Sequence, residues 1–340
     1  MCKTISNILS FILAVALLST AGYAQDKVGT TAAPFLGISV NPRATAMGAA
    51  FTAVSNDVSA LYYNPGALPH AAKSQFTVAH TEWLVNTNLN WVGFLLKVDG
   101  TNAIGLSLTQ LDYGQDQVTT VQFPEGTGET WEASDIALSM SYGRFLTDRF
   151  SIGGSVKYIQ QKIWNENSAA YAFDVGLLFI TQFNDMKLGM SISNFGTDMK
   201  MEGKDLLERV DLDPDAIGHN ENIVSNLKTD AWPLPLFFRV GVSMDVINND
   251  FNRLTLAVDA MRPSDNSETI NVGGEWGFYD MIFFRGGYKS LFRDESEEGL
   301  TLGIGLGLPS MNRFGWSFDY TYADFGRFED IHMFALSVMF

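Results

Sequence analysis

A period-two alternation of apolar and polar residues runs from about residue 74 to Phe340 and constrains the fold of this 340-residue chain most strongly. Between residues 313 and 322 every second residue is aromatic, whereas the intervening residues are small, polar or charged. Because successive side chains of a strand point to opposite faces, such a segment forms a strand with one apolar and one polar face. The alternation recurs about a dozen times, which is typical of a transmembrane β-barrel.

The amino terminus has the features of a secretory signal peptide. Lys3 precedes the apolar run Ile8–Leu18 and the small-residue site Gly22–Ala24, an order typical of export signals. The run is shorter than the roughly 20 residues of a spanning helix. We therefore assign residues 1–24 to a signal peptide. The only cysteine, Cys2, lies within it, so we expect neither a disulfide nor a thiolate metal site.

Composition agrees with a barrel and excludes some partners. Hydrophobic residues make up 46% of the chain and its mean hydropathy is +0.04, as expected when each strand faces lipid on one side and the lumen on the other. The net charge of −16 argues against nucleic acid as a partner, since phosphate binding needs clustered Lys and Arg.

Alternation and turn signals predict an all-β fold, a 14-stranded antiparallel transmembrane β-barrel over residues 74–340. The predicted strands are 74–84, 88–98, 101–112, 131–146, 149–163, 170–182, 186–195, 235–246, 252–262, 268–279, 281–290, 298–308, 313–325 and 331–340. Every second link is short, and the three longest links, 113–130, 196–234 and 291–297, fall among the others. Short turns are periplasmic and long loops extracellular in such barrels, so we predict periplasmic amino and carboxy termini and contact with outer-membrane lipid.

Charged residues within the strands share the parity opposite to the apolar one. A charge facing lipid costs roughly 2–4 kcal/mol at the midplane, so this parity should face the lumen. We expect ion pairs within the barrel rather than a substrate-guiding ladder. The residues are Asp174, Arg239, Arg253, Asp259, Glu275, Arg285 and Asp319.

The last strand ends on an aromatic residue and resembles the signal by which outer-membrane barrels are recognised for insertion. Its apolar residues are Phe334, Leu336, Val338 and Phe340. This resemblance implies the barrel assembly machinery as a partner.

Residues 25–73 do not alternate and form the natural plug for the lumen, because fourteen strands lie between a filled barrel and an open channel. Within this segment Arg43–Val54 is rich in alanine and is predicted to form a short helix, which Asn56 and Asp57 end. Asn64-Pro65-Gly66 predicts a turn.

Residues 35–69 resemble the amino-terminal signature of the PorV/PorQ family, in which "ARA-x-x-MG-x-AF-x-A" precedes "D-x-x-x-x-x-x-NPA-x-L". The chain has Gly66-Ala67 where Ala-Gly is usual in the family and Ala49 where Gly is common. The matching residues are Arg43, Ala44, Met47, Gly48, Ala50, Phe51, Ala53, Asp57, Asn64, Pro65 and Leu68.

The resemblance implies an outer-membrane barrel associated with type IX secretion and similar to the hatch-plugged, fourteen-stranded FadL family. Members like PorV bind the carboxy-terminal domain of secreted cargo, and members like PorQ belong to the attachment machinery. The candidate plug or gate residues are Arg43, Met47, Gly48, Asp57, Asn64 and Pro65. Asn64 and Pro65 either shape a gate or only begin a turn. Arg43 is expected to pair with Asp57, Asp174 or Glu275, since an unpaired buried charge is costly.

No chemistry-bearing motif is found. The histidines are dispersed, and the chain has neither a nucleophile elbow nor a nucleotide-binding loop. Asp211, Asp213 and Asp215 imitate the start of a calcium loop, but Ala216 replaces its glycine and Glu221 falls one residue short. We therefore expect no enzymatic activity, no cofactor and no metal site.

Two principal functions remain open. The first is a non-enzymatic protein-binding component for type IX secretion or cargo attachment, with loop 196–234 as its contact surface. The second is FadL-like passage of hydrophobic small molecules through a gate near residues 43–68. A purely structural barrel is a third possibility.

Overall fold

A computed structural model describes residues 27–211, 223–293, 296–311, 314–328 and 330–340. The predicted signal peptide and most of the calcium-like segment, from Asp213 to Glu221, lie outside the described residues. Within the described ranges, no helix combines the length and the apolar character needed to cross a membrane.

The chain forms a closed, antiparallel, 14-stranded β-barrel, which confirms the predicted fold class. Each strand pairs with its sequence neighbours, and β14 returns to β1 with Val338 opposite Phe76. The strands are β1 Gln75–Trp83, β2 Thr87–Lys97, β3 Asn102–Gln117, β4 Thr130–Thr147, β5 Phe150–Ile163, β6 Glu166–Ile180, β7 Lys187–Gly196, β8 Phe237–Asn248, β9 Asn252–Pro263, β10 Thr269–Phe278, β11 Ile282–Leu291, β12 Leu300–Met311, β13 Phe314–Ala323 and β14 Ile331–Met339.

Strand boundaries depart from the prediction mainly between β3 and β6. β3 continues to Gln117 rather than residue 112, and β6 begins at Glu166 rather than residue 170. The alternation fades there because both faces of β3 beyond Asp112 are exposed, while the ladder to β4 continues past a bulge. The strands β3, β4 and β5 therefore extend beyond the apolar part of the barrel.

The two ends of the barrel differ in their links. The turn end has the links 98–101, 148–149, 181–186, 249–251 and 279–281, and the loop end has the three longest, 118–129, 197–236 and 292–299. The longest loop contains the short strands Met199–Lys200, Glu202–Gly203, Leu207–Val210, Ile223–Asn226 and Ala231–Trp232.

The two faces of the wall follow the predicted parity. Leu302 and Leu306 on β12 are each 48% exposed on the outer surface, whereas Thr301 is 1% exposed on the inner one. On β14, Phe334 and Leu336 face outward as well, Val338 shares their parity, and Phe340, which follows the strand, is also exposed. The outer surface is apolar, as a lipid-facing surface must be.

Residues 27–74 fill the lumen as a plug of short elements. It contains 3-10 turns at Pro34–Gly37 and Pro65–His70 and two helices, α1 Pro42–Ala46 and α2 Ala60–Tyr63. The helix predicted over Arg43–Val54 is wrong in length, because α1 ends at Ala46 and the following Gly48 and Ala49 have φ of 63° and 60°. Asn41 begins α1 by accepting a hydrogen bond from Arg43 N.

The hydrophobic core lies between the plug and the wall rather than between two sheets. Met47, Phe51, Leu61 and Leu68 of the plug are each at most 1% exposed. The apolar and polar residues of β2 alternate poorly in the sequence. In the structure its Trp91 points inward and is 1% exposed against this core. The plug is thus the interior of the molecule, and the candidate site is the surface where it meets the barrel.

Candidate functional site: the plug–barrel interface

An ion-pair cluster joins the plug to the barrel wall. Arg43 on α1 donates two hydrogen bonds to Glu275 on β10, from Nε at 2.8 Å and Nη2 at 2.7 Å. Its Nη1 donates to Asp57 at 2.6 Å and to Asn56 at 2.9 Å. Asp174, the third carboxylate considered for Arg43, is not a partner in the structure.

The same cluster continues along the wall. Arg285 on β11 donates to Glu275 at 2.7 Å and to Asp319 on β13 at 2.6 Å. The side chains of Glu275 and Arg285 are only 2% and 3% exposed. We call Arg43, Asp57, Glu275, Arg285 and Asp319 the Arg43 cluster. At its edge Arg253 lies 4.0 Å from Glu275 and 3.3 Å from Asp280.

Other predicted lumenal charges bind differently. Asp174 pairs with Lys157 at 2.6 Å, and Asn194 joins both residues. In the described part of the chain, Arg239 and Asp259 have no opposite charge within 4 Å. Arg239 instead donates to Ser193 and lies over Phe237, with its Cζ 4.8 Å from the ring centre.

Asp259 on β9 holds the plug backbone. One of its oxygens, Oδ2, accepts hydrogen bonds from Phe51 N at 2.9 Å and Thr52 N at 2.8 Å. These two amides belong to the turn that follows Gly48. The two backbone N–H groups replace hydrogen bonds to water that the carboxylate loses on burial. Asp259 is therefore a plug anchor.

Asn64 is fully buried, and its side-chain amide forms hydrogen bonds to both the plug and the barrel wall. Its Nδ2 donates to Thr52 O in the plug at 2.9 Å and to Leu177 O on β6 at 3.0 Å, and its Oδ1 accepts from Gly66 N at 3.0 Å. The side chain thus begins the turn that Asn-Pro predicts and also ties this turn to the wall.

Eight glycines of the wall lie directly against the plug, and we call them the glycine belt. A Cβ added to any of them would lie within 3.0 Å of a backbone or Cβ atom of the plug, whereas at Gly93 and Gly105 the plug atoms met are only the ends of the Val58 and Leu61 side chains. They occur on eight strands and at inward-facing positions, so the plug backbone approaches the wall backbone nearly all round. The belt is Gly143, Gly153, Gly176, Gly189, Gly241, Gly273, Gly287 and Gly303.

Met47 and Gly48 meet the belt between β10, β11 and β12. Gly48 has a left-handed φ, and a Cβ there would lie 2.6 Å from Val272 O and 2.7 Å from Tyr288 O. Gly48 N donates to Thr301 Oγ1 at 3.0 Å. Only glycine meets both requirements, a positive φ and backbone contact.

The plug ends in a polar contact near the turn end. His70 Nε2 lies 2.9 Å from Ser151 Oγ, which donates to Gly66 O. Burial, together with the charges of Lys187 and Lys97, lowers the pKa of His70 to about 4. The imidazole is therefore neutral at pH 7 and serves as a packing and hydrogen-bonding group.

Cavities lie at both ends of the barrel. One at the turn end has a volume of about 360 Å³ and is lined by Arg253 and by every member of the Arg43 cluster except Glu275. Another, which we call the loop-end cavity, has a volume of about 480 Å³ and is lined by Tyr113, Trp131 and Asp135 with their neighbours. Within the described residues, no group of three or more His, Cys, Asp and Glu side chains is placed to hold a metal ion.

The glycine belt and the contacts of Asn56 and Asn194 were missed by sequence reasoning, whereas Lys157 has the parity of the charged residues predicted to face the lumen. The sequence does contain a signal for the belt. Its glycines occupy inward-facing positions of strands whose other inward residues are polar or bulky. Asn56 and Asn194 had none, since their roles depend on the path of the plug.

A prediction follows from Asn64. Replacing it with aspartate keeps the shape but turns the donor Nδ2 into an oxygen that faces Thr52 O and Leu177 O. We expect a loss of about 2–3 kcal/mol in the free energy of unfolding, the cost of unsatisfied buried groups. Urea unfolding in lipid vesicles measures it. Asn249→Asp is the control, because Asn249 only accepts backbone hydrogen bonds in an exposed turn and should change little. Equal stability of the two variants would contradict the assigned role.

A closed fourteen-stranded barrel with an apolar outer surface and an amino-terminal plug defines the class: this is a plugged outer-membrane β-barrel. A family model described as "Type IX secretion system protein PorV" matches residues 21–205, more than half of the chain. The chain therefore belongs to the PorV family, as its amino-terminal signature indicates.

Solved structures share the fold at low sequence identity. A Pseudomonas aeruginosa FadL homologue is 14% identical, with a TM-score of 0.52 over 88% of this chain and 98% of that chain. The CymD monoaromatic hydrocarbon channel is 10% identical, with a TM-score of 0.56 over 88% and 96%. The Pseudomonas putida toluene transporter TodX is 10% identical, with a TM-score of 0.55 over 88% and 97%. No curated protein sequence matches the chain.

Proposed function

We propose that this protein is a non-enzymatic, protein-binding component of type IX secretion that holds cargo or another secretion component at the cell surface. The loop end faces the exterior in this proposal, and both termini are periplasmic. Membership of the PorV family supports the link to secretion.

The fixed plug is the observation that carries the proposal. The glycine belt leaves no space between the plug and eight strands, and the Arg43 cluster, Asp259 and Asn64 bind the plug to the wall. A lumen filled in this way offers no path for a protein. The partner surface is then the loop end, where the 197–236 loop exposes Leu207 and Val224 by 50% and 62%.

Photocrosslinking tests this assignment. A benzophenone side chain at Leu207 or Val224 should capture cargo or a secretion component in secreting cells. The matched control is Asp148, which is exposed in a turn-end link and should capture no cargo at the surface. Capture of cargo from Asp148 alone would reverse the proposed orientation, and no capture from either loop position would reject the proposed surface.

Passage of hydrophobic small molecules is the second candidate. The loop-end cavity favours it, because several apolar side chains line it. Uptake of a radiolabelled aromatic hydrocarbon into vesicles separates the candidates. We expect the rate with this protein to equal that of empty vesicles, whereas faster, saturable uptake would support transport.

A further inference from the structure

The loop-end cavity lies on the inner face of the wall formed by β3, β4 and β5 where these strands project. Its sides are the apolar and aromatic residues Tyr113, Trp131, Ile163 and Met201. Met201 comes from the 197–236 loop and covers one side. The volume of about 480 Å³ is in the range of small-molecule sites, roughly 300–1,000 Å³.

A buried carboxylate forms part of the lining. Asp135 is 3% exposed, and its Oδ2 accepts hydrogen bonds from Tyr113 OH at 2.9 Å and Gln161 Nε2 at 3.0 Å. No cation among the described residues lies within 4 Å of it. Lys162 also lines the cavity, but its Nζ pairs with Glu132 at 2.9 Å.

This arrangement differs from that of the other buried carboxylates on the inner face of the barrel. Glu275, Asp319 and Asp174 each have an Arg or Lys partner, and Asp259 accepts two plug amides. Asp135 has only neutral donors and borders an open cavity, so its charge is the one left to be met by a ligand.

The surroundings favour a cation. Segment 112–132, which forms the β3–β4 hairpin above the cavity, has five carboxylates and neither Lys nor Arg. Such a hairpin raises the local concentration of positive ions. The faces of Trp131 and Tyr113 add an attraction for an ammonium group that neither an acid nor an alcohol would share.

We propose that this cavity binds a small organic cation, a primary ammonium carried on an apolar stem. The ammonium donates to Asp135, and the stem packs against Trp131 and Ile163. This site lies beyond the proposed secretion function, since it needs no protein partner and leaves the exposed surface of the 197–236 loop free.

Calorimetric titration of the full barrel in lipid nanodiscs tests the proposal, with phenethylamine as the probe and 2-phenylethanol as its neutral counterpart. Phenethylamine should bind, and at least about tenfold more tightly than 2-phenylethanol, as expected for a charge-assisted hydrogen bond. Asp135→Asn should remove this difference. Glu125→Gln, a charge loss on the exposed part of the same hairpin and outside the cavity lining, should change the Kd by about twofold or less.

Folding of each variant is checked by its compact migration on unboiled gels. Trp131→Ala keeps Asp135 and should weaken phenethylamine binding without abolishing its preference over the alcohol. The proposal is overturned if phenethylamine does not bind the unaltered protein, if the alcohol binds equally well, or if folded Asp135→Asn keeps the preference.

Discussion

Gly153→Val will displace the plug from its contact with the barrel wall, whereas Gly154→Val, one residue further along β5, will leave the barrel unchanged. A Cβ at Gly153 would overlap Pro65 O of the plug, but the nearest atom to a Cβ at Gly154 is Asp174 O at 3.3 Å. Gly153 faces the lumen and Gly154 faces outward. Overpacking costs about 1–3 kcal/mol even where flexible side chains can move, and here the obstacle is backbone.

Cysteine labelling measures this effect. Ser55 in the plug is 1% exposed, and the only natural cysteine lies in the predicted signal peptide. In a Ser55→Cys background, a maleimide should react at least about tenfold faster in Gly153→Val than in Gly154→Val. Vesicle conductance should rise in the same variant. Similar labelling rates in the two variants would show that the plug does not depend on the close backbone contact.

Arg43→Met will detach the carboxylate-bearing side of the plug. The substitution keeps an unbranched side chain of similar length but leaves Asp57 without its cation, and Glu275 with only Arg285 at hydrogen-bond distance. Removing one partner of a buried ion pair costs about 3–5 kcal/mol. Denaturant unfolding in vesicles should show a loss of this size.

A double-mutant cycle and a surface control define the cause. Because Glu275→Gln removes the charge that Arg43 neutralises, the double variant should lose less stability than the sum of the single variants. Arg149 pairs with Asp185 at 3.4 Å with both side chains exposed, so Arg149→Met should cost about 0–1 kcal/mol. Additive losses in the cycle would mean that Arg43 and Glu275 act independently.

Much of the candidate site could be predicted in kind but not in detail. The signature residues Arg43, Gly48, Asp57 and Asn64 all lie at the plug–wall interface. Their partners could not be chosen from the sequence alone, because Glu275 and Asp174 both lie at inward-facing positions of their strands and carry the same charge. Arg43 binds Asp57 and Glu275 because α1 approaches β10, while Asp174 lies on β6, where Lys157 of the adjacent β5 neutralises it.

The barrel itself was determined by the sequence. Period-two alternation is a local property, and a charge facing lipid is costly, so strand number, antiparallel order and the facing of most side chains followed from single segments. Strand ends beyond the apolar region did not follow, since both faces of a projecting hairpin meet water and the alternation disappears.

The tertiary structure decided how the plug sits and what it touches. Glycines on eight strands and the turn after Met47 come together only when the barrel has closed around residues 27–74. Contacts between segments more than a hundred residues apart carry no local pattern. The sequence therefore determined a membrane cylinder with a filled lumen, and only the closed structure determined which backbone atoms hold that filling in place.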